Sequence, residues 1–139
     1  MLEFIIDASV ALKWFPTKDE ASVEEARGVW QAIQSGRIKA YTPLFMLVEI
    51  ANVLARKKKV EATIFNNIIR KLAVSKIDFV DLKKADLSKL GFLVNKYYLT
   101  AYDAQYLILA KQLKCKLVSY DEELLKISDW VVRVKDVLE

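Results

Sequence analysis

Short apolar runs alternate along this chain with stretches in which apolar residues recur every three or four positions. The runs have the length of buried strands, and the recurring spacing is that of one face of a helix. The predicted strands cover residues 2–6, 38–42, 77–82, 116–119 and 130–134. The predicted helices cover residues 10–14, 19–35, 43–58, 61–75, 85–96 (with a break near Gly91), 100–113 and 122–127. This alternation predicts an α/β domain with a parallel sheet and right-handed crossovers.

Composition agrees with one soluble domain spanning residues 1–139. The chain is 54% hydrophobic, which is enough for a single core at this length. No apolar run approaches the roughly 20 residues of a membrane helix. The first residues lack the basic flank of a signal peptide. The single cysteine, Cys115, excludes an internal disulfide and a cysteine-based zinc site. We therefore expect a cytoplasmic protein with no membrane contact.

The chain contains no histidine. This removes the commonest general base and the usual zinc or iron ligand. Nucleophilic sites of the Ser–His and Cys–His kinds are excluded for the same reason. An enzyme with this composition must rely on carboxylates and a hard cation. The net charge of +4 favours an anionic partner.

Four carboxylates are expected to meet at one edge of the sheet. Asp7 follows the first predicted strand directly, and Asp121 follows the fourth. Asp103 lies in the first turn of the helix over 100–113, and Glu49 lies about two turns into the helix over 43–58. Both helices have an end at the carboxyl edge of the strands, where open α/β sheets bind their ligands. The sequence therefore predicts an acidic site at that edge.

Each acid also has a purely structural alternative. Asp7, Asp103 and Asp121 stand where helix caps commonly use aspartate. Glu49 could pair with Arg56 or with a nearby lysine. Capping and ion pairing do not explain the four acids together, because clustered carboxylates raise one another's pKa unless a cation neutralises them. A carboxylate site without histidine or thiol favours Mg²⁺ or Mn²⁺, and such ions can activate water for attack on a phosphodiester.

The segments that carry these acids resemble the four acidic motifs of PIN domains, and most closely those of VapC-like toxins of bacterial and archaeal toxin–antitoxin pairs. The segments are residues 7–14 (DASVALKW), 49–54 (EIANVL), 102–104 (YDA) and 117–121 (LVSYD). They span the chain in the family's order and spacing. The resemblance implies a three-layer α/β/α domain with a five-stranded parallel sheet in the order 3-2-1-4-5. It also implies metal-dependent endoribonuclease activity on RNA.

The resemblance further implies a role for each matched residue. The acids would bind Mg²⁺ or Mn²⁺ and carry catalysis: Asp7, Glu49, Asp103 and Asp121. Ser9 would supply the hydroxyl that orients them, and Asn52 would be a supporting polar group. Ser119 stands where many family members have threonine, a change that keeps the hydroxyl. A small cognate antitoxin and a toxin homodimer would be the protein partners.

A basic run, Arg56, Lys57, Lys58 and Lys59, follows the helix that carries Glu49. One interpretation is favourable charge at the carboxyl end of that helix. The other is a patch that contacts RNA phosphates beside the site.

Aromatic residues provide a second candidate surface. Trp14, Phe15 and Trp30 are predicted to lie in the core or at an interface, with any exposed part forming a groove for the amphipathic helix of an antitoxin. The remaining candidates could serve the core, a dimer face or RNA stacking: Tyr97, Tyr98, Tyr102 and Tyr106.

Two other functions fit parts of the pattern. A phosphoacceptor receiver domain also has acids at the carboxyl edge, but it needs a second acid beside the first, and here Ala8 follows Asp7. The pair Val134-Lys135 matches the receiver lysine only loosely. A PIN-like module that binds RNA or protein without cleaving would normally have lost one or more acids, and this chain retains four. RNA cleavage is the function that the sequence favours.

Overall fold

The computed structural model describes residues 2–15 and 23–138, and within them five strands form one parallel sheet. The strands are β1 (Leu2–Ile6), β2 (Ile38–Pro43), β3 (Asp78–Val80), β4 (Lys116–Val118) and β5 (Val131–Val132). Their order is β3-β2-β1-β4-β5. The predicted fold class and strand order are confirmed.

The first strand is the centre of this sheet. Phe4 is in register with Ala40 on one side and with Lys116 on the other, so β1 pairs with both β2 and β4. Ile5 and Ile6 point to opposite faces because successive side chains of a strand alternate. Both are 0% exposed. The sheet is therefore covered on both faces at β1, as expected for a parallel sheet between helices.

Helices flank the sheet. They are α1 (Ala8–Ala11), α2 (Val23–Gln34), α3 (Phe45–Arg56), α4 (Ala62–Ala73), α5 (Lys84–Leu87), α6 (Leu90–Tyr97), α7 (Ala101–Leu113), α8 (Glu122–Leu125) and α9 (Val134–Val137), with a 3₁₀ turn over Leu12–Trp14. Helix α7 packs on β1, β2 and β4. All its residues from 106 to 110 are buried, which is why its apolar positions do not form one stripe.

The junction between β2 and α3 differs from the prediction. Pro43 was expected in the first turn of a helix, but it is the last residue of β2, in register with Val80. The Leu44 amide donates to the Val80 carbonyl oxygen at 2.9 Å. Pairing with β3 thus extends β2 by one residue to Pro43, and the helix begins at Phe45. Proline is also a favourable residue at a helix start, which is why the sequence predicts a helix there.

Other boundaries also moved. The predicted helix over 85–96 is two helices, α5 and α6, and the break falls at residues 88–89, with Gly91 inside α6. The Ser88 hydroxyl donates to the Ala85 carbonyl oxygen at 2.6 Å, a local bond that competes with helical continuation. The third and fifth strands are shorter than predicted. Residues 19–22 of the predicted helix over 19–35 lie outside the described residues, and α2 is described from Val23.

The last helix, α9, was not predicted. It packs against α2, where Gly28 allows close approach: a Cβ atom at Gly28 would lie 2.8 Å from Leu138 Cδ1. In the described ranges, no helix combines the length and apolar character needed to cross a bilayer.

Candidate active site

The four predicted acids lie on four different elements. Asp7 follows β1 directly and caps α1, and Asp121 caps α8 after β4. Asp103 is in the first turn of α7, and Glu49 is in the second turn of α3. The charge of Glu49 raises the pKa of Asp7, and the charges of Asp103 and Asp121 raise the pKa of Glu49. The carboxylates are thus within electrostatic range of one another, at the carboxyl edge of the sheet.

Asp7 is held by two serine hydroxyls. Ser9 Oγ donates to Asp7 Oδ1 at 2.6 Å, and Ser119 Oγ donates to Asp7 Oδ2. Both hydroxyls also accept backbone bonds, Ser9 from the Tyr120 amide at 3.0 Å and Ser119 from the Asp121 amide at 2.9 Å. Because each hydroxyl has one proton, these accepted bonds direct that proton towards Asp7. Strands β1 and β4 are thereby joined at the site.

Burial dominates the ionisation of Asp7. Its side chain is 3% exposed, and burial raises its pKa to about 7 from 3.8. The hydrogen bonds from Ser119, Ser9 and the Val10 amide oppose this rise, and the charge of Glu49 adds to it. A buried carboxylate of this kind favours its neutral form unless a positive charge lies close to it.

Glu49 is fixed by a residue whose role the sequence left open. Tyr106 Oη donates to Glu49 Oε1 at 2.7 Å. Burial raises the pKa of Glu49, with further rises from Asp103 and Asp121, and the Tyr106 bond opposes them. Burial and the nearby carboxylates raise the pKa of Tyr106, so it remains a proton donor. The sequence contained one indication that Tyr106 lies at the site: it follows Asp103 by three residues, so the two share one side of α7.

Asp103 and Asp121 lie at the starts of α7 and α8. The Asp103 amide donates to Thr100 Oγ1 at 3.1 Å, so Thr100 caps α7. Burial raises the pKa of Asp103, and the charge of Asp121 raises it further. Asp121 Oδ1 accepts from the amides of Glu123 at 2.8 Å and Leu124 at 3.2 Å. Asp121 is therefore a helix cap as predicted, whereas Asp103 contributes only its backbone amide to the Thr100 cap, and the carboxylates of Asp103 and Asp121 are within electrostatic range of each other.

The donor set fits a hard divalent cation, although the ligands are not drawn together. Within the part of the chain that the structure describes, no three acidic side chains are arranged to hold one metal ion. The available donors are carboxylate oxygens, which Mg²⁺ and Mn²⁺ prefer. Burial is the main cause of the raised pKa values of Asp7, Glu49 and Asp103, and repulsion from neighbouring carboxylates adds to each of them. A bound cation would relieve that repulsion.

The other polar candidates lie farther along α3. Asn52 is exposed one turn after Glu49. The basic run begins at Arg56, the last residue of α3, about 10 Å along the helix axis from Glu49 at the usual rise per residue. Lys57 is the carboxyl cap, and Lys59 has a positive φ of 48°. The run therefore has the position expected for favourable charge at a helix end.

The candidate partner-binding aromatic residues form one internal cluster. Trp14 is 6% exposed, and its indole N–H donates to the Ala26 carbonyl oxygen at 2.7 Å. The ring centroids of Trp14 and Trp30 are 4.8 Å apart, and those of Phe15 and Trp30 are 5.7 Å apart. The cluster joins the 3₁₀ turn to α2. Phe15 and Trp30, which are partly buried, retain surface for a partner.

Comparison with known protein families identifies this architecture. The family model of the PIN domain matches residues 4–129, which include all four acids. The chain belongs to the PIN domain family. PIN domains are generally nucleases that depend on divalent metal ions. A search of curated protein sequences gives no significant match.

Solved structures share this PIN fold at low sequence identity. PAE2754 from Pyrobaculum aerophilum has a TM-score of 0.69 and 20% identity, over 99% of this chain and 93% of that one. VapC20 of Mycobacterium tuberculosis, a sarcin–ricin loop cleaving toxin, has a TM-score of 0.70 and 10% identity, over 86% and 90%. A toxin–antitoxin complex from Klebsiella pneumoniae has a TM-score of 0.65 and 17% identity, over 94% and 96%. At such identities the likeness shows the fold alone.

Proposed function

We propose that this PIN domain is a Mg²⁺- or Mn²⁺-dependent endoribonuclease and the toxin of a toxin–antitoxin pair. The observation that carries the proposal is the coupling of four carboxylates, from four separate elements, at the carboxyl edge of the sheet. A histidine-free acidic site of this kind suits metal-assisted hydrolysis better than nucleophilic catalysis.

Each residue has a defined task in this proposal. The carboxylates that would hold the ion are Asp7, Glu49, Asp103 and Asp121. Ser9 and Ser119 orient Asp7 through its two oxygens, and Tyr106 orients Glu49. The bound ion would supply charge stabilisation and water activation at the phosphodiester. None of these orienting groups is charged, so the negative potential of the site remains available to the ion.

The choice of RNA as substrate is supported by the structural likeness to VapC20, whose described target is the sarcin–ricin loop. An antitoxin partner is supported by likeness to two further assemblies, the Klebsiella complex and FitAcB of Neisseria gonorrhoeae. Partly buried Phe15 and Trp30 are the proposed contacts for an antitoxin helix, and a toxin homodimer is the proposed assembly.

Cleavage of total RNA with Mg²⁺ tests the nuclease proposal. Asp103→Asn should lower the cleavage rate roughly 100-fold or more, the scale seen when one stabilising group is removed from an active site. EDTA should abolish the activity of the parent. The matched control is Asp129→Asn, because Asp129 is exposed and precedes β5 at the opposite edge of the sheet. Equal rates for Asp103→Asn and the parent, each purified identically, would refute the assignment. Binding of RNA without cleavage by the parent would instead indicate an inactive binding module.

A further inference from the structure

A pair of stacked aromatic rings lies beside the acidic site. Phe45, the first residue of α3, and Tyr102, near the start of α7, have ring centroids 5.3 Å apart and an interplanar angle of 4°. This is an offset parallel stack, a favoured geometry for two rings. Both residues are at the ends of their helices that face the carboxyl edge of the sheet.

The pair forms the outer layer of the contact between α3 and α7. Phe45 and Glu49 are four residues apart on α3, and Tyr102 and Tyr106 are four residues apart on α7, so each pair shares one helix face. Tyr106 donates to Glu49 in the inner layer, and Tyr102 stacks on Phe45 one turn nearer the helix starts. The rings therefore border the acids on the side of the sheet edge.

Packing in the core does not explain why an aromatic residue stands at position 102. Its side chain is 57% exposed, whereas Tyr106 one turn later is 1% exposed. Among the described residues, the Tyr102 hydroxyl has no hydrogen-bond partner. Two further exposed apolar side chains lie nearby, Leu44 at 48% as the N-cap of α3 and Val48 at 61% in its first turn. An aromatic face is thus presented to solvent at the border of a charged site.

We propose that Tyr102, supported by Phe45, is a platform on which an unpaired base of RNA stacks while the adjoining phosphate lies at the acids. The inference rests on the proposed function and adds a residue that would bind a base of the substrate. Tyr102 and Asp103 are consecutive, with Cα atoms about 3.8 Å apart. A nucleotide with its phosphate at the acids therefore has its base within reach of the ring. Only an unpaired base leaves its face free for a side chain.

Binding measured in EDTA tests the platform without cleavage. The probes are a short fluorescein-labelled single-stranded RNA and the same RNA annealed to its complement, followed by anisotropy. Stacking on an aromatic ring contributes about 1–3 kcal/mol per base, which corresponds to about a 5- to 150-fold change in Kd. Tyr102→Leu should weaken binding of the single strand by that factor and leave binding of the duplex unchanged. Tyr102→Phe, which keeps the ring, should bind like the parent.

Two further variants complete the design. Phe92→Leu is the matched control, because Phe92 is 65% exposed and its neighbours on α7 are Ile108 and Lys111, more than a turn beyond Asp103. Phe45→Leu removes the support of the platform and should weaken binding in the same direction as Tyr102→Leu. Circular dichroism melts establish that each variant is folded.

The outcomes separate this inference from the nuclease proposal. Unchanged single-strand affinity in both Tyr102→Leu and Phe45→Leu overturns the platform even when the parent cleaves RNA. A parent that binds RNA through Tyr102 but never cleaves it overturns the nuclease proposal and leaves the platform standing. A shift from dimer to monomer on Tyr102→Leu, with unchanged affinity per protomer, assigns the rings to an interface between copies and overturns the platform.

Discussion

Replacement of Asp7 by asparagine should change how stability depends on pH in the metal-free protein. The pKa of Asp7 is about 7 in the folded protein and 3.8 without the fold, because burial penalises its charge. Between these values the folded state keeps a proton that the unfolded state has lost. The free energy of unfolding therefore falls as pH rises through this window, and it becomes constant above the folded pKa.

The size of the effect follows from the width of that window. Between about pH 5 and about pH 8.5, the folded state holds the extra proton only over about two pH units, below the folded pKa. Each of these units lowers the unfolding free energy by about 1.4 kcal/mol. Asp7 should thus remove roughly 3 kcal/mol of unfolding free energy from the parent over this interval. Asparagine has the same shape and does not ionise. Its amide can donate to Ser119 Oγ, whose hydroxyl rotates to suit, so we expect a cost of only about 1 kcal/mol at pH 5.

The assay is urea unfolding in EDTA at both pH values. Glu49 and Asp103, whose pKa values are also raised, add to the pH effect in parent and variant alike. The comparison of the two proteins therefore isolates Asp7. Asp7→Asn should be slightly less stable than the parent at pH 5 and more stable at pH 8.5. Mg²⁺ at pH 8.5 should stabilise the parent more than the variant.

One result would refute this reasoning. If the difference in unfolding free energy between Asp7→Asn and the parent is the same at both pH values, Asp7 is already ionised at pH 5. Burial would then not control its charge, and the serine bonds alone would hold a stable carboxylate. Asp129→Asn, a change at an exposed acid, serves as control and should give no such pH-dependent difference.

Three further predictions concern the surroundings of the site. Tyr106→Phe removes the donor to Glu49 and should lower both the cleavage rate and the unfolding free energy, the latter by about 1–3 kcal/mol. A urea midpoint and a cleavage rate equal to those of the parent would mean that this bond does not orient Glu49. Replacing Lys57, Lys58 and Lys59 with glutamine should reduce the salt slope of single-strand binding by about 2 if they contact phosphates, and an unaltered slope would assign them to the helix end alone. Co-expression with the product of a neighbouring small gene should yield a heteromeric complex that contains two copies of this chain and cleaves RNA more slowly, as light scattering and a cleavage assay would reveal. A monomer that ignores that product and cleaves at full rate would contradict the toxin proposal.

The sheet could be predicted because its signal is local. Runs such as residues 2–6 are mostly apolar, have a high β propensity and are directly followed by a polar residue. Neighbouring residues of the sequence therefore predict both the strand and the acid after it. Chain direction then places Asp7 and Asp121 at one edge without knowledge of any contact. The convergence of four distant acids follows from topology, and topology follows from the alternation of strands and helices.

The features that the sequence missed depend on partners far away in the chain. Pro43 reads as a helix start until Val80 pairs with it. In the sequence Tyr106 is one of four equivalent tyrosines, and only the fold shows that Glu49, 57 residues earlier, accepts its hydrogen bond. The exposure that singles out Tyr102 from Tyr106 depends equally on what packs on each. Helical periodicity predicts which face of its helix a residue occupies, but it does not predict which side chain of another element contacts that face.

Helix capping and a role at the site are compatible in Asp7. Its Oδ1 accepts from the Val10 amide at 3.3 Å as a cap, but that bond would be available equally to a solvent-exposed aspartate or serine. Capping gives no reason to bury the side chain to 3% exposure, since burial penalises the charged form that accepts best. It also gives no reason for two serines, one in α1 and one directly after β4, to direct their protons at both carboxylate oxygens. Burial disfavours the ionised form of Asp7, the serine bonds favour it, and together they fix the carboxyl group beside three other acids. A cation is the partner that would make that arrangement stable, which is why we infer a metal site rather than a cap alone.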